Sequence, residues 1–242
     1  MTTWARRDLT IISGVGDDCF VVACDSCGAV GEKQGDELKL PARLVAKLTA
    51  RVALSEVICS GAKPIMIING VANEMKPTGV QFIAGIREEL ANASIFDIAL
   101  NGSTEENFAT NMTALAITVI GACKESELKF GRAEKGDKFI LLGEPKVGNE
   151  VDLEGVGLYD EIRQLLRLPQ VREIVPVGSN GVAHEAKTLA SLNGMAIEFR
   201  ETKICYKKSA GPATCFVVLC AQSALEQVLN IYSKGLIIGE IM

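Results

Sequence analysis

The stretch Gly16-Asp17-Asp18-Cys19, with an apolar run to Cys24 and then Asp25-Ser26-Cys27-Gly28-Ala29-Val30-Gly31-Glu32-Lys33, decides the interpretation of this sequence. The apolar run predicts a buried β-strand, and the glycines and carboxylates beside it predict turns. Carboxylate oxygens are the ligands that magnesium prefers, and glycines let backbone N–H groups approach phosphate oxygens. The stretch therefore predicts a site for a divalent cation and a phosphorylated ligand.

A helix follows this stretch. Pro41 suits a first helical turn, apolar residues repeat at a spacing of four, and Gly61-Ala62-Lys63-Pro64 ends the helix. Glu56 lies on or beside the apolar stripe, where a carboxylate is costly unless it has a cation partner. Glu56 is therefore a candidate cation ligand, and the alternative is a carboxylate that reaches water from the edge of the stripe.

Strands and helices alternate along the rest of the chain. Further strands are predicted at 65–72, 95–100, 112–123, 139–142, 196–199 and 214–220, and further helices at 78–93, 158–168, 181–192 and 224–232. The charged segment 124–138 has little apolar periodicity and predicts a linker. We expect an α+β protein of two domains, residues 1–123 and 139–242, each with mixed sheets packed against helices.

Composition excludes several classes of protein. The 242 residues carry a formal net charge of −5 without a basic stripe, and 5% aromatic residues provide few platforms for base stacking, so nucleic acid is not an expected partner. No apolar run approaches the roughly 18 residues of a membrane span, and no signal peptide is recognisable. The eight cysteines are scattered and His184 is the single histidine, which disfavours a zinc site. We expect a soluble cytoplasmic protein whose cysteines are mostly small buried apolar residues.

The glycine motifs differ from the common nucleotide-binding fingerprints. There is no P-loop motif. Gly14-Val15-Gly16 begins like a dinucleotide fingerprint, but Cys19 stands where the third glycine is needed. Gly178-Ser179-Asn180-Gly181 precedes a predicted helix, where it either seats an anion on the helix N-terminus or is an ordinary cap. With the acidic residues, these turns favour metal–nucleotide binding without a P-loop, although each turn alone is common.

A succession of motifs resembles the aminoimidazole ribonucleotide (AIR) synthetase superfamily, which includes thiamine-monophosphate kinase, selenophosphate synthetase and a hydrogenase-maturation factor. The motifs are Gly16-Asp17-Asp18-Cys19, Asp25-Ser26, Leu54-Ser55-Glu56-Val57, Gly61-Ala62-Lys63-Pro64, Asn101-Gly102-Ser103-Thr104-Glu105, Gly178-Ser179-Asn180-Gly181 and Ser209-Ala210-Gly211-Pro212. The resemblance covers most of the chain and is more specific in the first 121 residues. Glu56 departs from it, because most relatives have aspartate there.

The resemblance implies ATP and Mg²⁺ as cofactors and a homodimer joined through first-domain strands. It implies metal or phosphate-bridging roles for Asp17, Asp18, Asp25 and Glu56, and a phosphate-facing role for Lys33; Lys33 and Asp25 are the implied catalytic residues. Ser103, Thr104 and Glu105 would form a second metal–phosphate loop. The implied nucleotide contacts also include Gly28, Gly31, Gly178, Asn180 and Gly181.

Within the superfamily, residues 23–33 together with Glu105-Glu106-Asn107 resemble the kinases that phosphorylate α-ribazole for cobamide (cobalamin) assembly. This resemblance implies an ATP-dependent kinase that acts on the hydroxyl of a nucleoside-like small molecule. One alternative is an enzyme similar to thiamine-monophosphate kinase. The other is an ATP-binding protein without turnover.

Overall fold

The computed structural model describes residues 1–153, 155 and 157–242. The chain divides into two compact units. The first comprises Met1–Val57, Ala62–Glu125 and Leu153–Gly157, and the second comprises Ile58–Gly61, Ser126–Asp152 and Leu158–Met242. In the described part of the chain, no helix has the length and apolar character needed to cross a membrane.

The first unit is built on a six-stranded sheet with strand order β1-β2-β3-β8-β6-β7. Neighbouring strands are antiparallel except β6 and β7, which are parallel and connected through α2. The strands and helices are β1 (Thr2–Arg6), β2 (Leu9–Ser13), β3 (Asp18–Gly28), β4 (Val30–Gly31), β5 (Leu38–Lys39), α1 (Ala42–Cys59), β6 (Lys63–Val71), α2 (Val80–Asn92), β7 (Ala99–Ser103) and β8 (Ala114–Lys124).

The two faces of this sheet differ in burial. Alternate residues of β3, namely Cys19, Val21 and Ala23, are almost fully buried, and the apolar stripe of α1 is buried as well. Helices α1 and α2 pack closely because a Cβ on Gly85 would lie only 1.9 Å from the carbonyl oxygen of Arg43. The opposite face keeps large apolar side chains partly exposed, including Phe20, Ile65 and Ile68 at 38% each.

The second unit has a five-stranded antiparallel sheet with strand order β10-β12-β9-β13-β11. Its elements are β9 (Lys138–Gly143), α3 (Tyr159–Leu166), β10 (Val171–Pro176), α4 (Val182–Leu192), β11 (Ile197–Phe199), β12 (Cys215–Cys220), α5 (Leu225–Ile231) and β13 (Leu236–Ile241). Strand β12 is buried along its whole length and packs under α4, so the strongest apolar run of this half forms its core.

Three features differ from the sequence predictions. Strand β7 occupies Ala99–Ser103 rather than 95–100, because its register with β6 pairs Met66 with Ala99 and Gly70 with Ser103. Strands β1 and β10 were not predicted; β1 is polar and exposed, and β10 contains Glu173 and Pro176, which weaken its strand pattern.

The predicted linker is divided between the units. Lys124 completes β8, and residues from Ser126 onward belong to the second unit. The chain then returns to the first unit at Leu153–Gly157. There the carbonyl oxygens of Leu153 and Gly155 accept hydrogen bonds from Lys47 (3.2 Å) and Arg51 (2.6 Å) of α1.

Candidate functional site

Three loops leave the same edge of the first sheet. Because β6 and β7 are parallel and Gly70 pairs with Ser103, the segments after both strands start at this edge. Strand β3 ends here too, since Gly28 pairs with Ala114 at the start of β8. We call these segments the lysine loop (29–36), the α2 turn (72–79) and the acidic loop (104–113).

Asp36 ties the lysine loop to the acidic loop. Its Oδ1 accepts the backbone N–H of Thr113 (2.7 Å), and its Oδ2 accepts the Thr113 hydroxyl (2.6 Å) and the backbone N–H of Lys33 (2.8 Å). Burial raises the pKa of Asp36, but these hydrogen bonds outweigh it and the pKa is lowered. The buried carboxylate therefore stays ionised and fixes the backbone that carries Lys33.

Asn73 ties the α2 turn to the acidic loop. Its side chain is fully buried. The amide nitrogen donates to the hydroxyl of Thr110 (2.7 Å) and to the carbonyl of Met112 (2.8 Å), and the amide oxygen accepts the N–H of Ala114 (2.9 Å). A buried amide with these bonds fixes one geometry for both segments.

Lys33 and Glu74 form the ion pair at the centre of the site. Lys33 Nζ lies 2.7 Å from Glu74 Oε2, and the hydroxyl of Thr78 donates to Glu74 Oε1. Burial raises the pKa of Glu74, yet the hydrogen bonds from Lys33 and Thr78 dominate and the pKa is about 2. The predicted phosphate-facing lysine is thus held against the turn that leads into α2.

The acidic loop meets the same turn through Glu106. Its Oε1 accepts the backbone N–H of Met75 (2.7 Å) and the hydroxyl of Thr104 (2.8 Å). Glu105, predicted as a metal–phosphate residue, instead accepts the N–H groups of Asn107 (2.7 Å) and Phe108 (3.2 Å). Glu105 therefore stabilises its own loop in this structure, while Ser103 is exposed at the end of β7.

Asp25 lies in β3 shortly before the lysine loop. It continues the buried alternation of Val21 and Ala23, and its side chain is half-buried. Burial raises the pKa of Asp25 from 3.8 to about 6, and only a backbone hydrogen bond from Ser26 opposes this rise. Burial also raises the pKa of Cys27, with further contributions from the charges of Asp25 and Asp36. A half-buried carboxylate favours a bound cation, because the cation offsets the free-energy cost of burying the negative charge.

The structure does not assemble Asp17, Asp18, Asp25 and Glu56 into one ligand set. Asp18 pairs with Lys124 at the opposite end of β3, seven residues or about 23 Å from Asp25. Glu56 Oε2 accepts a hydrogen bond from Arg7 at 2.9 Å, with only 2% and 9% of the Arg7 and Glu56 side chains exposed. The expected cation partner of Glu56 is thus supplied by the chain itself. Across the described residues, no group of three or more histidine, cysteine or acidic side chains is arranged to hold a metal ion.

The two glycines of the lysine region have different surroundings. A Cβ on Gly31 would lie 2.1 Å from Thr113 Oγ1, so the missing side chain serves packing against the chain itself. A backbone contact from Gly31 to nucleotide stays a prediction. Gly28 is exposed, and a Cβ there would meet nothing within 4 Å, so a contact from Gly28 to nucleotide stays a prediction.

The predicted anion seat before α4 is partly occupied by the chain itself. A Cβ on Gly181 would lie 2.8 Å from the backbone of Lys207, and φ is +80° there, so this glycine serves the close approach of residues 206–208. The N–H of Ala183 already donates to Tyr206 O at 2.9 Å. Glu185 places an acid in the first turn, near the exposed Gly178. Gly178 and Asn180 therefore lie at a helix end that is less favourable for a phosphate than predicted.

Glu74 and Asn73 were not predicted as site residues. The strand–helix–strand pattern could have indicated them, because it implies a parallel pair of strands whose following residues lie at the same edge of the sheet. Glu74 also lies four residues before Thr78, a spacing that brings side chains together within a turn.

The C-x-x-C at Cys24 and Cys27 lies within β3. Residues three apart in a strand point to opposite faces, so the two thiols do not form a pair of metal ligands.

Solved protein structures resemble this chain, whereas no curated protein sequence matches it. Among solved structures, Thermotoga maritima PurL in complex with AMPPCP has a TM-score of 0.72 at 14% identity, over 96% of this chain and 42% of the PurL chain. Escherichia coli HypE, a hydrogenase maturation protein, has a TM-score of 0.67 at 18% identity, over 91% of this chain and 79% of the HypE chain. The chain thus spans about two fifths of PurL and four fifths of HypE.

The structural likeness shows the fold, and the family assignment comes from the sequence of the first unit. Residues 9–123 match the family described as AIR synthase related protein, N-terminal domain. They contain the lysine loop, the α2 turn and the acidic loop. Residues 9–123 therefore form an AIR synthase-related N-terminal domain.

Proposed function

We propose that the protein is an ATP- and Mg²⁺-dependent phosphotransferase that acts on the hydroxyl of a nucleoside-like small molecule. The observation that best supports this function is the meeting of the lysine and acidic loops at the α2 turn. Lys33 of the lysine loop pairs with Glu74 of the turn, and Glu106 of the acidic loop accepts the backbone N–H of Met75 in the same turn. Two segments predicted to face phosphate are thereby brought to one sheet edge.

Nucleotide binding is the better supported half of this proposal. Thermotoga maritima PurL has been determined in complex with AMPPCP, with ATP and with ADP. Phosphoryl transfer depends mainly on positioning and on neutralising charge. A lysine amine held by an ion pair beside this turn contributes to both.

Magnesium fits this site as an ion shared between phosphate oxygens and one or two carboxylates, which is its usual mode of binding beside nucleotides. Asp25 is the residue best suited to hold it, because its carboxylate is half-buried and no cation contributes to its raised pKa. Asp17 and Asp18 remain proposed ligands only for a site at the other end of β3. Bound magnesium would neutralise charge on the phosphate oxygens.

The reaction joins the acceptor hydroxyl oxygen to the γ-phosphorus and breaks the bond to the oxygen that leaves with ADP. Lys33 would donate to a phosphate oxygen and offset the charge that develops on it. The hydroxyl proton must pass to a base. Asp25 is the candidate carboxylate at this edge when it does not hold the magnesium, because a bound cation would lower its pKa below the value of about 6 that it has without a ligand.

The acceptor is proposed from the resemblance of residues 23–33 and 105–107 to α-ribazole kinases of cobamide synthesis. A phosphorylated acceptor such as thiamine monophosphate would favour unpaired basic residues. In the second unit Lys208 pairs with Glu150 at 2.7 Å, whereas Lys207 is exposed, so these two lysines fit either kind of acceptor.

The test is incubation of the pure protein with ATP, Mg²⁺ and each acceptor, followed by mass analysis. We expect α-ribazole to gain one phosphate, and Lys33→Ala to lower kcat more than it raises KM. Transfer to thiamine monophosphate instead would support the thiamine-type alternative. ATP binding without any phosphorylated product would refute the kinase and support a binding protein without turnover.

We further propose a homodimer that covers the exposed apolar face of the first sheet. Phe20 lies on β3, and Ile65 and Ile68 lie on β6; these two strands flank β8. Monomeric soluble proteins rarely leave a large apolar patch uncovered. A second copy presenting the same face provides a self-complementary partner.

A further inference from the structure

Glu74 bridges two parts of the candidate site. Its two carboxylate oxygens have different partners, since Oε2 binds Lys33 Nζ at 2.7 Å and Oε1 accepts the hydroxyl of Thr78. The Lys33 and Glu74 side chains are 19% and 29% exposed, so the pair is shielded from most water but open on one side. The amine of the lysine loop is thereby tied to the turn that begins α2.

This arrangement answers a problem that a lysine poses as a phosphate ligand. Its four-carbon stem is flexible, and ordering it on binding costs conformational entropy. The ammonium group has three donors. One donates to Glu74, and within the described residues no other acceptor takes the remaining two, which leaves them for a ligand.

The charge of Glu74 is also stable. Burial acts to raise its pKa, but the hydrogen bonds from Lys33 and Thr78 bring the pKa to about 2. The carboxylate therefore remains ionised throughout the neutral range and can hold the ammonium group in one place.

We propose that Glu74 is a positioning residue, anchored by Thr78, that orients the Lys33 amine toward the phosphate groups of the nucleotide. The role in catalysis rests on the proposed function. The ion pair itself does not, so the two can be tested separately.

Three variants separate this role from general stability. Glu74→Gln keeps the size of the side chain, but it removes the charge and leaves one oxygen to serve both Lys33 and Thr78. Thr78→Val keeps the ion pair and removes its anchor. Glu240→Gln is the matched control, because Glu240 forms a part-exposed ion pair with Lys138 within the second unit.

The first readout is the acetylation rate of individual lysines in the ligand-free protein, followed by mass spectrometry. Loss of a part-exposed ion pair should speed acetylation of Lys33 about threefold in Glu74→Gln. Glu240→Gln should leave the Lys33 rate unchanged. Equal Lys33 rates in the wild-type protein and Glu74→Gln would show that the pair does not hold the amine and would overturn the proposal.

The second readout is steady-state phosphate transfer. The Lys33 amine is proposed to act in the transition state, so its mispositioning should affect kcat more than KM. In Glu74→Gln, kcat should fall about tenfold or more while KM for ATP changes less than about threefold. Thr78→Val should give a smaller loss of kcat, and it serves as the test if Glu74→Gln does not fold.

The outcomes distinguish the two hypotheses. Wild-type kcat in both Glu74→Gln and Thr78→Val, with an active wild-type protein, would overturn the positioning role and leave the proposed function intact. Absence of transfer by the wild-type protein would overturn the proposed function, and Glu74 would then be a structural partner of Lys33.

Discussion

Replacing Asp25 with asparagine should stabilise the metal-free protein while it impairs function. Burial raises the pKa of Asp25 from 3.8 to about 6. The ionised carboxylate is therefore disfavoured in the folded state, and the cost at neutral pH has an upper bound of about 3 kcal/mol at 1.36 kcal/mol per tenfold change. Because Asp25 is only half-buried, water screens part of this cost, and we expect a gain of about 1 to 2 kcal/mol.

The gain in stability from Asp25→Asn should depend on pH. Between pH 4 and 6 the folded state holds a proton that the unfolded state has released, so the stability of the wild-type protein falls as pH rises. The advantage of Asp25→Asn should be near zero below about pH 4 and complete above about pH 6. For a chain of this size it corresponds to a rise in Tm of about 4 °C at pH 7.5.

The assay is thermal unfolding of both proteins in chelator at several pH values. Asp97→Asn, which removes an exposed carboxylate from the same unit, is the control and should not change the Tm. In the presence of Mg²⁺ and ATP this advantage should shrink or disappear, because Asp25→Asn should weaken ligand binding at least about tenfold, which is about 1.4 kcal/mol. A Tm for Asp25→Asn that is lower than wild type at pH 7.5, or an advantage that does not depend on pH, would refute the reasoning.

Three further predictions concern the first unit. Glu56→Gln should destabilise the fold by about 3 kcal/mol, because it removes the negative charge that faces the buried Arg7 guanidinium at 2.9 Å. It should leave the Mg²⁺ requirement of turnover unchanged; a higher Mg²⁺ requirement would instead identify Glu56 as a metal ligand. Gly31→Ala should lower the denaturation midpoint, since its Cβ would lie within 2.1 Å of a side-chain oxygen; a midpoint equal to wild type would contradict this packing. In sedimentation at micromolar concentration the chain should behave as a species of about twice 25.8 kDa, and Phe20→Lys or Ile68→Lys should shift it to the monomer; a wild-type monomer would refute the dimer.

Local patterns were sufficient to predict most elements of the fold. The apolar alternation of β3, the spacing of four along α1 and the long strand β8 are encoded by neighbouring residues. Strands β1 and β10 and the exact position of β7 were not predictable in this way, because pairing with another strand overrides their weak or shifted patterns.

The motifs themselves also identified the superfamily, and the match over residues 9–123 confirms it. They drew attention to Lys33, Asp25 and the loop after β7, because carboxylates and glycines beside a buried strand are typical of phosphate and metal sites. A motif does not state which of its residues are already engaged within the chain. Glu56 is bound to Arg7, and Glu105 caps its own loop.

The contacts that build the candidate site were decided by tertiary structure alone. Lys33 and Glu74 are 41 positions apart, and Asp36 and Thr113 are 77 positions apart. Such pairs form because the parallel strands β6 and β7 end at one sheet edge and bring their following loops together. The sequence by itself determined which residue types were available for phosphate chemistry, whereas the strand order determined that Glu74 faces Lys33.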